Sequence, residues 1–271
     1  MARKNGTVRI GALGDLHYTR TPEPTQVRDL LTQAGRESDV LVLCGDLTDH
    51  GLPEEAQALA REIHSAVGVP VIAVLGNHDF EGRKQEEVKQ ILIESGVRVL
   101  DGDACEEAGV GFAGVKGFCG GFGKRALGPW GEDIIKEFVR EAVDEALKLE
   151  SALARLRRTP RVAVLHYSPI QETVEGEPLE IYPFLGSSRL EEPVNRYAVD
   201  AVFHGHAHRG RPEGRTATGV PVFNVSVQLL RQAHPERPFR IFEVPVGEAD
   251  SKKEVKEVKG EPHAVSLEQQ G

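Results

Sequence analysis

At 271 residues the chain is long enough to bury one large hydrophobic core. With 39% hydrophobic and 28% charged residues it has an ordinary globular composition. It carries no apolar run of membrane-spanning length and no charged-then-apolar leader, so the expected location is the cytoplasm, with no membrane part. The net charge of -9 gives no general attraction to nucleic acid, and basic residues are interspersed with acidic ones, which argues against a long nucleic-acid track as a partner. Cys44, Cys105 and Cys119 are odd in number and lack paired spacing, which excludes a disulfide framework and a zinc ribbon. Cys44, inside an apolar run, reads as a small buried hydrophobe.

In chain order, residues 8–13 read as a first strand, 25–34 as a short helix closed near Gly35, and 40–43 as a second strand. Pro53 opens an amphipathic helix through Ala56, Leu59, Ala60 and Ile63, which Gly68 and Pro70 close. A third strand at 71–75, a helix at 86–95 and a short apolar run at 97–100 complete a strand–helix rhythm typical of a mostly parallel sheet. Residues 110–115 form another strand, after which 116–131 is Gly-rich and aperiodic. Its Phe118, Phe122 and Trp130 either line a surface pocket or tuck under the sheet. A long helix is expected over 132–158, then a strand at 162–165, a polar Pro-containing loop at 167–183, a short helix at 188–197 and a strand at 199–203. Residues 220–225 and 239–246 read as two more strands meeting antiparallel across a loop at 229–238. A parallel first half with antiparallel additions fits two facing sheets with helices outside, and residues 1–247 as one domain. Residues 248–271 alternate Lys with Glu and read as a charged, flexible tail.

Five of these apolar runs end in polar residues of related chemistry: Gly14-Asp15-Leu16-His17, Gly45-Asp46-Leu47-Thr48-Asp49, Gly76-Asn77-His78-Asp79, His166, and Gly205-His206-Ala207-His208. Several strands that deliver Asp, Asn and His from their carboxyl ends describe a polar cluster at one sheet edge, where α/β proteins place ligand sites. Asp15 and His17, two residues apart, would share a side of a still-extended segment, and His206 and His208 have the same spacing. Nitrogen and carboxylate donors without thiolate favour Mn²⁺ or Fe, with Zn²⁺ also compatible. Two adjacent ions need a bridging carboxylate, and Asp46 can supply it.

In this order the five blocks resemble the calcineurin-like metallophosphoesterase family, over residues 8 to about 246. The resemblance implies an α/β fold, a two-sheet β-sandwich flanked by helices, with a dinuclear centre at the strands' carboxyl ends. It assigns one metal to Asp15, His17, Asp46 and His208, and the other to Asp46, Asn77, His166 and His206. It also makes His78 the histidine that contacts substrate, held by Asp49. The implied reaction is phosphoester hydrolysis by a metal-bound hydroxide, with His78 stabilising charge or protonating the leaving oxygen.

His50 stands where protein phosphatases of this family carry a phosphate-gripping arginine, which speaks against that activity and favours a small soluble diester or cyclic nucleotide. Monoester hydrolysis is the alternative, because Lys124 and Arg125 could restore the charge. A non-catalytic metal-binding or interaction module on the same fold is the second alternative. Asp79 is expected to fix loop geometry, and His204 to pack at a strand end. No protein partner is indicated.

Overall fold

The computed structural model describes residues 6–19, 24–157 and 160–246. The expected tail at 248–271 and the last residue of the expected helix at 132–158 lie outside them. Strands β1 (Thr7–Leu13), β2 (Val40–Cys44), β3 (Val71–Val74) and β4 (Arg98–Val99) run parallel, and β11 (Arg240–Pro245) lies antiparallel along β1. A second, six-stranded sheet has the order β5 (Asp103–Glu107), β6 (Val110–Gly114), β7 (Arg161–Val164), β8 (Ala201–His204), β10 (Pro221–Asn224) and β9 (Glu213–Arg215). Its four inner strands are parallel and its two edge strands antiparallel.

The alternation of side chains along each strand decides the layers. All five residues of β2 are buried. Leu41 and Leu43 face the helices α1 (Pro24–Glu37), α2 (Pro53–Ala66) and α3 (Gln85–Glu94), packing with Leu31, Leu59 and Leu92. Val40, Val42 and Cys44 face the other sheet, meeting the core of Phe112, Val162, Val164 and Phe203. The second sheet presents Ala163, Leu165 and Val202 to α4 (Asp133–Arg155), which buries Leu149, Ala152 and Leu153 against them, together with Val194 of α6 (Glu191–Arg196). The order helix layer, sheet, sheet, helix layer is therefore a consequence of period-two burial on both faces of each sheet.

Four expectations need correction. The strands at 220–225 and 239–246 do not pair with each other: β10 pairs parallel to β8 in one sheet, and β11 antiparallel to β1 in the other. Phe223 and Phe242 still meet across the sandwich, with ring centroids 5.5 Å apart. The loop expected at 229–238 begins as helix α7 (Val227–Ala233), which buries Val227, Leu229 and Leu230. The polar run 167–183 holds two 3₁₀ turns, Glu172–Val174 and Leu179–Ile181, and leads into the short helix α5 (Tyr182–Leu185). Strands β5 and β9 were not expected, since their sequences alternate too little apolar character to be recognised.

Phe203 is fully buried between Phe223 and Phe242, at 5.6 and 6.0 Å between ring centroids. Phe203→Ala should cost about 3–5 kcal/mol, read as a lowered urea midpoint at unchanged m-value.

Candidate metal centre

Beyond the ends of β1 and β2 the chain continues to be laced by main-chain bonds: Asp15 N–H donates to Gly45 O (3.0 Å), His17 N–H to Asp46 O (2.9 Å) and Tyr18 N–H to Leu47 O (3.0 Å). This lacing comes with unusual backbone. Asp15, His17, Asp46 and His206 have φ of 58°, 43°, 46° and 69°, in the left-handed region that L-residues other than Asn and Asp rarely enter. Asp15 and His17 therefore do not share a side of an extended segment; a turn brings them together. Two glycines permit the close approach. A Cβ on Gly76 would lie 2.2 Å from Asp46 N and 2.8 Å from His166 Cε1, and one on Gly45, at φ +80°, would lie 2.5 Å from His166 Nδ1.

Asp79, fully buried, fastens this arrangement. Its carboxylate accepts from Leu47 N (3.2 Å), Thr48 N (2.8 Å), Thr48 Oγ1 (2.6 Å) and Gly76 N (2.8 Å), tying the loop after β2 to the loop after β3.

The expected ligands gather into two groups whose ligand atoms lie within 4.8 Å of one another: Asp15, His17 and His208, and Asp46, His166 and His206. Asp46 spans both, with Oδ1 3.3 Å from His166 Nε2 and Oδ2 3.8 Å from His17 Nε2. Asn77 Oδ1 is 2.8 Å from His166 Nε2. His208 Nε2 is 3.3 Å from Asp15 Oδ1. The donor set fits cations on two observations. His17 Nε2 is buried without a hydrogen-bond partner. His166 Nδ1 donates to Cys44 O (2.9 Å), which leaves the lone pair of Nε2 directed at the oxygens of Asp46 and Asn77. His206 Nε2 is bonded to Phe184 O (3.1 Å), so its Nδ1 is the atom free to ligate.

Protonation follows the same pattern. Burial and the nearby charges of Asp15 and Asp79 push the Asp46 carboxyl up to about 9. Asp15 is also penalised by burial, but the hydrogen bond from His208 and the charges of His166 and His208 bring it down to about 2. Burial holds His166 well below the ordinary imidazole value and brings His206 to about 4, so both offer neutral nitrogens. His208, although partly desolvated, is raised by Asp15.

His17, Asp49 and His78 form a third group. Here the expected contact between His78 and Asp49 runs through the main chain. The Asp49 carboxylate lies 3.3 Å from His17 Nδ1 and 3.3 Å from His50 Nε2, whereas His78 Nδ1 is held by the main-chain oxygen of Asp49 (2.7 Å). His78 N–H also donates to Asp46 Oδ1 (2.8 Å). His204 is fully buried and bonded through Nδ1 to Gly205 O and through Nε2 to Thr173 Oγ1, each at 2.8 Å, as a strand-end residue inside the fold. Sequence reading missed two supports. Asn224 Nδ2 donates to Ala207 O (2.7 Å), and Gln228 Nε2 to Asp15 O (2.9 Å). Asn224 ends an apolar run just as Asp46 does, so the signal that found the ligands also marked this residue.

Residues 8–210 match the family described as calcineurin-like phosphoesterase. The chain belongs to that family. Its fold and its Asp/His groups together support a metal-dependent phosphoesterase with a two-metal site. Among solved structures, phosphopantetheinyl hydrolase from Mycobacterium tuberculosis is similar at 17% identity and a TM-score of 0.63, over 96% of this chain and 100% of that one. A protein from Thermus thermophilus is similar at 16% identity and a TM-score of 0.48, over 87% of this chain and 98% of that one. No curated protein sequence matches this chain. Among the described residues no helix is long and apolar enough to cross a membrane.

Because Asp46 at about 9 must lose its proton to accept a cation, metal binding should release protons and tighten with pH. For the metal-free fold the sign is opposite. A carboxyl raised in the folded state stabilises fully below its unfolded value of 3.8, and that stability drains away as pH rises toward 9. Mn²⁺ titration by calorimetry in buffers of differing ionisation enthalpy should show proton release at pH 7, with affinity rising up to about tenfold per pH unit toward pH 9.

Proposed function

We propose that this protein hydrolyses a small phosphodiester, with Asp15, His17, Asp46 and His208 holding one cation and Asp46, Asn77, His166 and His206 the other. The observation that carries the reading is Asp46, whose two oxygens turn toward imidazole nitrogens of different groups, as a bridging carboxylate requires. Oxygen and nitrogen donors without thiolate favour Mn²⁺ or Fe, with Zn²⁺ compatible. Cations held there would supply charge for the phosphoryl oxygens and acidity for the attacking water.

The chain's own residues supply the rest. His78 Nδ1 carries its hydrogen toward Asp49 O, so Nε2 is the atom left to meet substrate. In its protonated form His78 can donate from that nitrogen to the leaving oxygen, and the main-chain bond fixes the ring for that task. Asp49, through its carboxylate, orients His17.

The preference for a diester over a monoester rests on the rim. His50 lies 3.3 Å from Asp49 Oδ2 and 3.6 Å from Glu81 Oε2, and Glu81 Oε1 is 3.5 Å from His78 Nδ1. Two carboxylates at that edge repel the extra charge of a phosphomonoester more than a diester monoanion. A cytoplasmic setting belongs to the same reading, and the three cysteines, all buried, are free thiols.

Comparison of kcat/KM for an aryl phosphodiester, a cyclic nucleotide and matched monoesters in Mn²⁺ buffer tests the preference; greater efficiency throughout on the monoesters would reverse it. Asp46→Asn should reduce bound metal at both sites, measured as ions per chain by elemental analysis. His78→Ala should keep its metal while turnover falls on the order of 10²-fold. Unchanged turnover at normal metal content would remove His78 from the reaction.

A further inference from the structure

The Gly-rich segment after β6 does not hang free. Gly120 N–H donates to Pro183 O (2.7 Å), Gly121 N–H to Gly186 O (2.8 Å) and Cys119 Sγ to Phe184 O (3.4 Å), so the segment is zipped onto α5 as one lobe. The lobe has its own small core of Phe122, Val174, Leu185 and Ala207. Phe118 is tucked against Phe138 and Tyr167, at 5.0 and 6.0 Å between ring centroids. Of the two outcomes expected for these aromatics, Phe118 and Phe122 pack inward and Trp130 does not.

Around the lobe, large apolar side chains stay in water. Leu179 is 74% exposed, Trp130 70%, Ile134 69% and Phe184 55%, with Ile135 and Ile181 at 38% each. The Phe184 ring meets the edge of Phe138 at 6.4 Å, and Ile134 and Ile135 stand one helical turn before Phe138 on α4. Leu179 and Ile181 belong to the turn that runs directly into α5, and Trp130 precedes α4. Large apolar side chains left in water beside a candidate site mark a surface for a ligand.

Its position selects the occupant. The carbonyl of Phe184 accepts from Nε2 of His206, a residue of the proposed centre, so the patch begins one residue away from where phosphorus would sit. A phosphodiester carries two organic groups, and at least one must lie along a wall of the centre. We propose that this lobe is that wall, and that the substrate is an amphiphilic phosphodiester whose alkyl or aryl group packs on Phe184 and Ile134. The inference rests on the diesterase reading and deepens it. A net charge of -9 disfavours an anionic bilayer as the occupant.

The test uses p-nitrophenyl diesters bearing methyl, butyl and octyl groups, in Mn²⁺ and below their aggregation concentrations. From methyl to octyl, kcat/KM should rise at least about tenfold, far less than full burial of seven methylenes would give. In Phe184→Ser, and in Ile134→Ser, the rise should shrink to about threefold or less. Trp130, the single tryptophan, supplies a readout without turnover. Octyl phosphate should shift its emission to the blue with saturation, and methyl phosphate should not. A flat chain-length profile with measurable turnover and no emission shift would overturn the proposal. Loss of all diester turnover with the shift intact would instead refute the diesterase reading and keep the wall. Concentration-dependent dimerisation, or pelleting with phosphatidylcholine vesicles, together with a flat profile, would reassign the face to a second copy or a bilayer and overturn the proposal.

Discussion

The site depends on one buried carboxylate. Asp79 accepts four hydrogen bonds, three from the loop after β2 and one from its own loop after β3, and His78 adds two further bonds between the same loops. Burial alone raises its pKa, while donors from Gly76, Thr48 and Leu47 pull the other way. Hydrogen bonds to an ionised group are worth about 1.5–3 kcal/mol each. Such a clamp can hold Asp46 in a left-handed conformation and keep Gly76 against its main-chain nitrogen, an approach that a single methyl group would prevent. Local geometry at Asp46 is thus set by a residue outside the proposed ligand set.

Around that clamp, strain and charge accumulate in one place. Four non-glycine residues of the cluster have positive φ, and the charge of Asp15 bears on the buried carboxyl of Asp46. Neither feature favours folding by itself. Both become intelligible where a cation is to be held, because positive charge reverses the penalty on Asp46 and rewards the convergence of nitrogen and oxygen lone pairs. The neutral imidazoles of His166 and His206 fit the same distribution of charge.

Much of this was legible in the sequence, for a physical reason. Buried strands are short apolar runs, and the first polar residue after a run stands at a sheet edge, so Asp15, Asp46, Asn77 and His166 stand out as candidates in the sequence, while at the fifth run that rule reaches His204 and only the block after it holds His206. What alternation cannot reveal is pairing partner. Phe223 and Phe242 both face the inter-sheet core, yet β10 and β11 belong to different sheets, and periodicity marks only the face. Edge strands were lost because solvent occupies one side: β5 buries only Cys105 among charged neighbours. Family position names Asp49 as the residue that holds His78, and not whether its main chain or its carboxylate makes the contact.

The two sheets divide the proposed ligands unequally. Asp15, His17, Asp46 and Asn77 follow strands of the first, whereas His166, His206 and His208 follow strands of the second. Neither half holds a working set, and an occupied centre would act as a clasp across the seam of the sandwich. Shear between the layers would part imidazoles from carboxylates, so ion escape would share its rate with the slow breathing of a core whose amides exchange with solvent only when the layers separate.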